Sequence, residues 1–304
     1  MQPARSTRIA LYLYGFLALA FLYLPLVSVA FASVSQARYL TFPIRRYAFG
    51  WYQQALNSPT VGDLVTTSLK VALIVTVISM VVGYFGALAY ARYHWRYRKL
   101  FQKLILLPIF FPQTVLGLAL LMWFNAIGVV PDWRTAVVAH LVWIGPIATL
   151  IVAIRAYSFD PALEEAARDL GCSTLQVMRE VTLPLLAPGI VSAGLFAFLL
   201  SWGNFPLSLF TTGADSTLPE WLYAKMVSGY SPLVPTVGIL TVIASATLLA
   251  LALGVPRLIA WSMGARRLHA SRPIQTNKGD GPCSPPSKAA ASWSPADRKA
   301  SARA

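Results

Sequence analysis

Residues 158–187 read SFDPALEEAARDLGCSTLQVMREVTLPLLA, a polar stretch set between two long apolar runs. Its local signals are those of two short helices joined by a turn. Asp160 can cap the first helix, with Pro161 at its first position, where a missing N–H costs nothing. Glu164 and Glu165 follow near the positive end of the helix dipole. Leu163, Ala166, Ala167 and Leu170 recur at i, i+3, i+4 and i+7, which is one apolar face at helical spacing. Glu164, Glu165, Arg168 and Asp169 take the remaining surface, and Glu164 with Arg168 forms a favourable i,i+4 pair. Gly171 falls where the first helix should end. Ser173-Thr174-Leu175-Gln176 is a capping box for the second helix, which Pro184 and Pro188 are expected to break. By itself the pattern fits a structured connector as well as a docking surface.

The flanking runs set the fold class. A membrane-spanning helix needs about 20 mostly apolar residues. Six stretches qualify: Ile9 to Val34, Thr67 to Tyr90, Leu104 to Ile127, Ala136 to Ala156, Pro188 to Thr211 and Val234 to Trp261. None contains Asp or Glu, and none alternates as a barrel strand does. The composition agrees: 57% of residues are hydrophobic and 12% charged, against about 25% charged in soluble domains. The first run follows Arg5 and Arg8 and contains Ala30-Phe31-Ala32, features of a signal peptide, but it is far longer than a signal core and reads as a retained helix. The expected fold is therefore an all-α membrane protein of six transmembrane helices, with a helix-turn-helix loop, 158–187, between spans four and five.

Lys and Arg orient the spans. One side collects Arg5 and Arg8, then Arg92, Arg96, Arg98, Lys99 and Lys103, then Arg155, Arg168 and Arg179, and finally Arg257, Arg266, Arg267 and Arg272. The other holds Arg38, Arg45, Arg46, Lys70, Arg134 and Lys225. Basic residues accumulate in cytoplasmic loops, so both termini and the 158–187 loop are expected in the cytoplasm. The same rule accounts for the net charge of +14, and no nucleic-acid partner is expected. The organisation reads as an N-terminal segment 1–8, a six-span domain 9–264 and a disordered basic tail 265–304, rich in Ser, Pro, Ala, Lys and Arg. Cys172 and Cys283 lie at no metal-ligand spacing and fall on the cytoplasmic side, where unpaired thiols are expected.

Enzymatic signatures are missing. There is no G-x-x-x-x-G-K-[ST] loop to cradle phosphate, no HExxH, no GxSxG and no carboxylate pair. No catalytic residue, metal site or cofactor bound by this chain is expected. His140 alone among the histidines falls in a span, where it serves either a function or a plain hydrogen bond to a neighbour. The lack of Asp and Glu within the spans argues against the alternative of an ion-coupled secondary transporter, which uses such groups as relays.

The loop also carries a specific pattern. Glu165-Ala166-Ala167, three residues, Gly171, nine residues, then Val181-Thr182-Leu183-Pro184 resembles the EAA loop of binding-protein-dependent ABC permeases, with Val181 where Ile is usual. Leu107-Pro108, Pro112 and 115–121 in span three, and Leu218-Pro219-Glu220-Trp221-Leu222-Tyr223 followed by Gly229 and Pro232, are similar to the spermidine/putrescine-type subfamily of these MetI-like permeases. The resemblance implies a transport subunit of the bacterial inner membrane rather than an enzyme. It implies that Glu164, Glu165, Ala166, Ala167, Gly171, Leu183 and Pro184 couple to a separate ABC ATPase, which binds the ATP. It further implies a second, non-identical permease and an external solute-binding protein as partners within the lipid bilayer. Polyamine permeases often have acidic residues near the stretch that here reads Ser201-Trp202-Gly203-Asn204-Phe205-Pro206. Their absence leaves open other small solutes, such as opine-like or amino-phosphonate compounds. Trp202, Asn204 and Phe205 either line the solute path or pack between helices.

Overall fold

A computed structural model describes residues 5–37 and 44–267. Among the described residues the elements are helices: α1 Arg5–Ser33, α2 Gly50–Asn57, α3 Pro59–Ala87, α4 Arg98–Leu104, α5 Leu107–Phe110, α6 Gln113–Ala126, α7 Trp133–Ser158, α8 Ala162–Asp169, α9 Thr174–Gln176, α10 Leu183–Trp202, α11 Ser208–Thr211, α12 Leu218–Ser228 and α13 Leu233–Arg267. Two π-helical segments, Leu88–Arg92 and Val177–Thr182, continue α3 and precede α10. The tail expected over 265–304 lies outside the described residues from 268 onward.

Among the described residues five helices are long and apolar enough to cross a membrane, and the number rises to six if a helix pair bent by 102°, Arg98–Phe110 with Gln113–Ala126, counts as one broken span. That pair bends within the expected third span, Leu104 to Ile127. The chain turns at Phe111, whose backbone is extended (φ −77°, ψ 136°), just before Pro112. Proline disfavours helical geometry at the residue before it and donates no hydrogen bond itself, so the apolar run continues while the helix does not. The expected fifth span is corrected in the same way. It ends at Trp202 rather than Thr211, because Asn204 Oδ1 accepts the Leu207 N–H at 3.1 Å and so starts a separate short helix after Pro206. Pro184 and Pro188, in contrast, do not break the helix before them. Thr174–Trp202 runs as one span: Pro184 falls within the first two residues of α10, directly after the π segment, where a missing N–H is tolerated, and Pro188 is accommodated inside α10. Cys172 is disulfide-bonded, which corrects the expectation of an unpaired thiol there.

The core is a bundle of α3, α7 and α10 built on small residues. Ala87, Ala148, Val152, Ala156, Leu186 and Ala193 share one buried cluster. At Gly86 a Cβ would stand 2.6 Å from Thr149 Oγ1, so only glycine allows α3 to approach α7 this closely. Membrane helices associate through such close backbone contact, since lipid tails offer no competing hydrophobic gradient. α1 packs along α13, with Thr236 Oγ1 donating to Ser33 O at 3.1 Å, and most of its large apolar side chains remain exposed. The 158–187 loop sits at one end of the bundle, and the α7 start, α11 and α12 gather at the opposite end.

Candidate functional site

The loop after α7 folds by the local rules its sequence carries. Asp160 Oδ1 accepts the Ala162 N–H at 3.0 Å. α8 closes with Gly171 N–H donating to Arg168 O at 2.8 Å and Cys172 N–H to Ala167 O at 3.1 Å. This double closure needs a left-handed residue, and Gly171 supplies it at φ 88°. The capping box forms as expected: Ser173 N–H donates to Gln176 Oε1 at 2.8 Å, and Gln176 N–H to Ser173 Oγ at 3.4 Å.

The apolar stripe of α8 divides between two faces. Ala167 is buried with Cys172 and Val177, and Val181 packs against them. Leu163, Leu170 and Leu175 point outward, 48%, 72% and 74% exposed, and Glu165 and Ala166 are exposed with them. The loop, seated on a π segment through Ala167, thus offers Leu163 and Ala166 on α8, Leu170 at its C-cap and Leu175 on α9 to whatever lies beyond the bundle. Leu183 and Pro184 are exposed at the start of α10, past the π segment rather than on α8.

Glu164 is not part of the outward face, and it does not pair with Arg168. Its Oε1 accepts the Thr182 hydroxyl at 2.8 Å and stands 3.8 Å from Arg92 Nη2. The side chains of Arg92 and Glu164 are only 12% and 17% exposed. The Arg92 guanidinium also lies 3.7 Å from the centre of the Phe159 ring. Residues three apart share a helix face, so Glu164 turns inward together with Ala167. The tertiary ion pair prevails over the local one because the inward position is already withdrawn from water, where an exposed i,i+4 pair contributes little. Arg92 went unnoticed as a site residue because a basic residue at the end of a span carries the same signal whether it orients the helix or binds a carboxylate.

The residues weighed for the solute path are placed differently from one another. Trp202 is buried in a cluster with Ala55, Leu64, Leu218 and Val237, and it stacks on Phe198 at 6.0 Å. Asn204 is buried and spends its Oδ1 on the Leu207 N–H. Phe205 is partly exposed, with its ring 4.5 Å from that of Tyr223 on α12. Next to them, His140 is hydrogen-bonded to Ser201 Oγ at 2.9 Å and Ser208 Oγ at 3.1 Å. Ser208 donates its own proton to Asn204 O, so it accepts from His140 Nε2–H, and Nδ1 accepts from Ser201. The histidine ties α7, α10 and α11 together, the plainer of its two readings. Among the described residues no group of three or more His, Cys, Asp or Glu is placed to hold a metal ion.

A family model described as "Binding-protein-dependent transport system inner membrane component" matches residues 79–263, from the middle of α3 through α13. The chain belongs to this family. The match takes in α8 and both π segments. Curated relatives include the spermidine/putrescine transport system permease protein PotC of Haemophilus influenzae, 26% identical over 239 residues that cover 78% of this chain and 93% of the relative. The putrescine transport system permease protein PotI of Escherichia coli K12 is 28% identical over 267 residues, covering 85% and 91%. A chain in the crystal structure of a bacterial alginate ABC transporter in complex with an alginate-pentasaccharide-bound periplasmic protein shares the fold, with a TM-score of 0.64 at 16% identity over 84% of this chain and 97% of its own. A chain of the MetNI methionine ABC transporter in an inward-facing form gives 0.55 at 20% identity, over 66% and 99%. The protein is thus a MetI-type permease of the bacterial inner membrane, a transport subunit and not an enzyme.

Proposed function

We propose that this permease couples to a separate ABC ATPase through the outward face of α8 and, with a second, non-identical permease, forms the path for a small polar solute. The single observation that carries the reading is the exposed face of Leu163, Glu165, Ala166 and Leu170 on a helix that is capped at both ends and anchored from behind. Exposed leucines on an ordered polar loop call for a partner surface, and the EAA pattern in this family-matched region indicates which partner. The loop then lies on the cytoplasmic side with both termini. The full assembly comprises two ATPase subunits that hydrolyse ATP, the two permeases and an external solute-binding protein. The names of the relatives favour a polyamine such as putrescine or spermidine, with opine-like and amino-phosphonate compounds as the other classes to screen. Phe205, beside Tyr223, is the best placed of the three path residues to meet solute, while Trp202 and Asn204 shape the wall from behind.

The test is Ala166→Arg in the tagged chain, purified from its native membrane in mild detergent. The expected result is an inserted, folded chain that no longer brings down a Walker-containing ATPase, while the wild type does and also recovers a second six-span chain. Unchanged ATPase recovery with the arginine in place would remove α8 from the docking surface.

A further inference from the structure

Glu164 Oε1 is a meeting point of both π segments. Arg92 is the last residue of Leu88–Arg92 and Thr182 the last of Val177–Thr182, and the two side chains converge on that one oxygen, at 3.8 and 2.8 Å. Short π segments are rare and concentrate at functional positions. Here each one ends where it delivers a side chain to the same carboxylate.

The junction matters because of chain connectivity. The 158–187 loop is continuous with α7 and α10 but not with α3. Among the described residues, Arg92–Glu164 is the one ion pair that joins α8 to the α3 side of the bundle. The end of α3 is itself braced: Arg98 donates to Tyr90 O at 3.0 Å and to Ala91 O at 3.1 Å, and Gln102 donates to Tyr90 O at 2.8 Å. Arg92 Nε and Nη2 are buried without a hydrogen-bond partner, and Glu164 is the carboxylate that faces them, with the Phe159 ring against the guanidinium. A buried charge that loses its counter-ion is strongly penalised, so displacing Glu164 has to carry Arg92 along.

We infer that the Glu164 carboxylate pins α8 to the ends of α3 and α10 so that the three move as one body during transport, with Arg92 as its positioning residue. The inference rests on α8 being the ATPase-docking helix. It adds that the drive reaches α3 through a side-chain junction, whereas it reaches α7 and α10 along the chain.

The experiment uses the full transporter in nanodiscs, with Cys172 and Cys283 replaced by serine and spin labels at the exposed positions Tyr93 and Ala162. The distance distribution is measured without nucleotide and after ATP–vanadate arrest, with the loss of hydrolysis confirming that the cycle was entered. In the otherwise wild-type protein the two distributions coincide. In Arg92→Gln, with ATPase recovery retained, they separate and broaden, and the charge-reversed pair Arg92→Glu/Glu164→Arg restores coincidence. Thr182→Val, which keeps the side-chain volume, broadens them without a shift. A wild-type distance that changes with nucleotide overturns the inference, as does an Arg92→Gln distance that matches the wild type in both states. If no ATPase accompanies even the wild-type chain, the docking reading itself fails, and the pin fails with it.

Discussion

At the scale of single residues, Glu220 shows how burial and hydrogen bonding oppose each other. Its Oε2 accepts the Thr212 hydroxyl at 2.7 Å and the Thr217 N–H at 3.3 Å, as part of the capping box of α12. Burial raises its pKa above the ordinary value of 4.5, and the two hydrogen bonds only partly offset that rise. A carboxyl raised on folding binds its proton more tightly in the folded chain. Its contribution is therefore complete below the unfolded pKa and is lost as pH rises through the folded one. Thermal unfolding in detergent should show a midpoint that falls as pH rises from about 4.5, the start of that window, and Glu220→Gln should flatten this dependence. An unchanged profile in the amide variant would assign the slope to another group. Glu164 is the instructive contrast among the acidic residues. Its place next to Glu165 in the sequence predicts an outward position and an i,i+4 partner. Its actual partners come from residues far along the chain in either direction, and spacing within one helix cannot reveal them.

Between elements, glycine sets how closely helices approach. At Gly86 the obstacle to a side chain is the branched Thr149, fixed in α7, whereas at Gly194 it is the flexible end of Met80, 2.8 Å from where a Cβ would sit. Gly86→Ala should therefore cost about 1–3 kcal/mol by overpacking. Gly194→Ala should cost less, because methionine repacks readily. Comparing the melting midpoints of the two variants in detergent checks the ranking, and equal midpoints would contradict it. The elements also show where the sequence was legible. Asp160, Gly171 and the Ser173–Gln176 box were readable because capping is chemistry between near neighbours, and each formed as its pattern implies. The spans were readable because a bilayer demands long apolar runs. The bend at Phe111–Pro112 and the end of the helix at Trp202 were hidden inside those same runs, since hydropathy is indifferent to direction. The π segments were hidden too: one extra residue per turn leaves no mark in an apolar pattern.

For the molecule as a whole, the exposed apolar surface of α1 and the outward face of α8 are different kinds of incompleteness. α1 is a spanning helix whose exposed side is compatible with lipid or with another membrane helix. α8 is short, polar on balance and capped, and its exposed leucines suit a protein surface in water. The proposed docking of a separate ATPase on α8 makes transport depend on ATP hydrolysis. Uptake of labelled putrescine by cells or vesicles carrying the whole system should thus stop with vanadate and persist when an uncoupler is added at constant ATP. The reverse pattern would point to an ion-driven carrier.

The π segment at Leu88–Arg92 has a consequence for how the gene tolerates change. Such a turn is an α-helix with a residue to spare, so a one-codon deletion there leaves a continuous helix. Each residue of an α-helix turns the chain by about 100°, so the same deletion in the α-helical part of α3 swings the guanidinium of Arg92 away from Glu164, whereas removing the spare residue of the π turn keeps its bearing. The length of α3 is then set by the compass bearing of one side chain, and a frame-preserving deletion that hydropathy would score as silent breaks the Arg92–Glu164 pair unless it falls in the π turn.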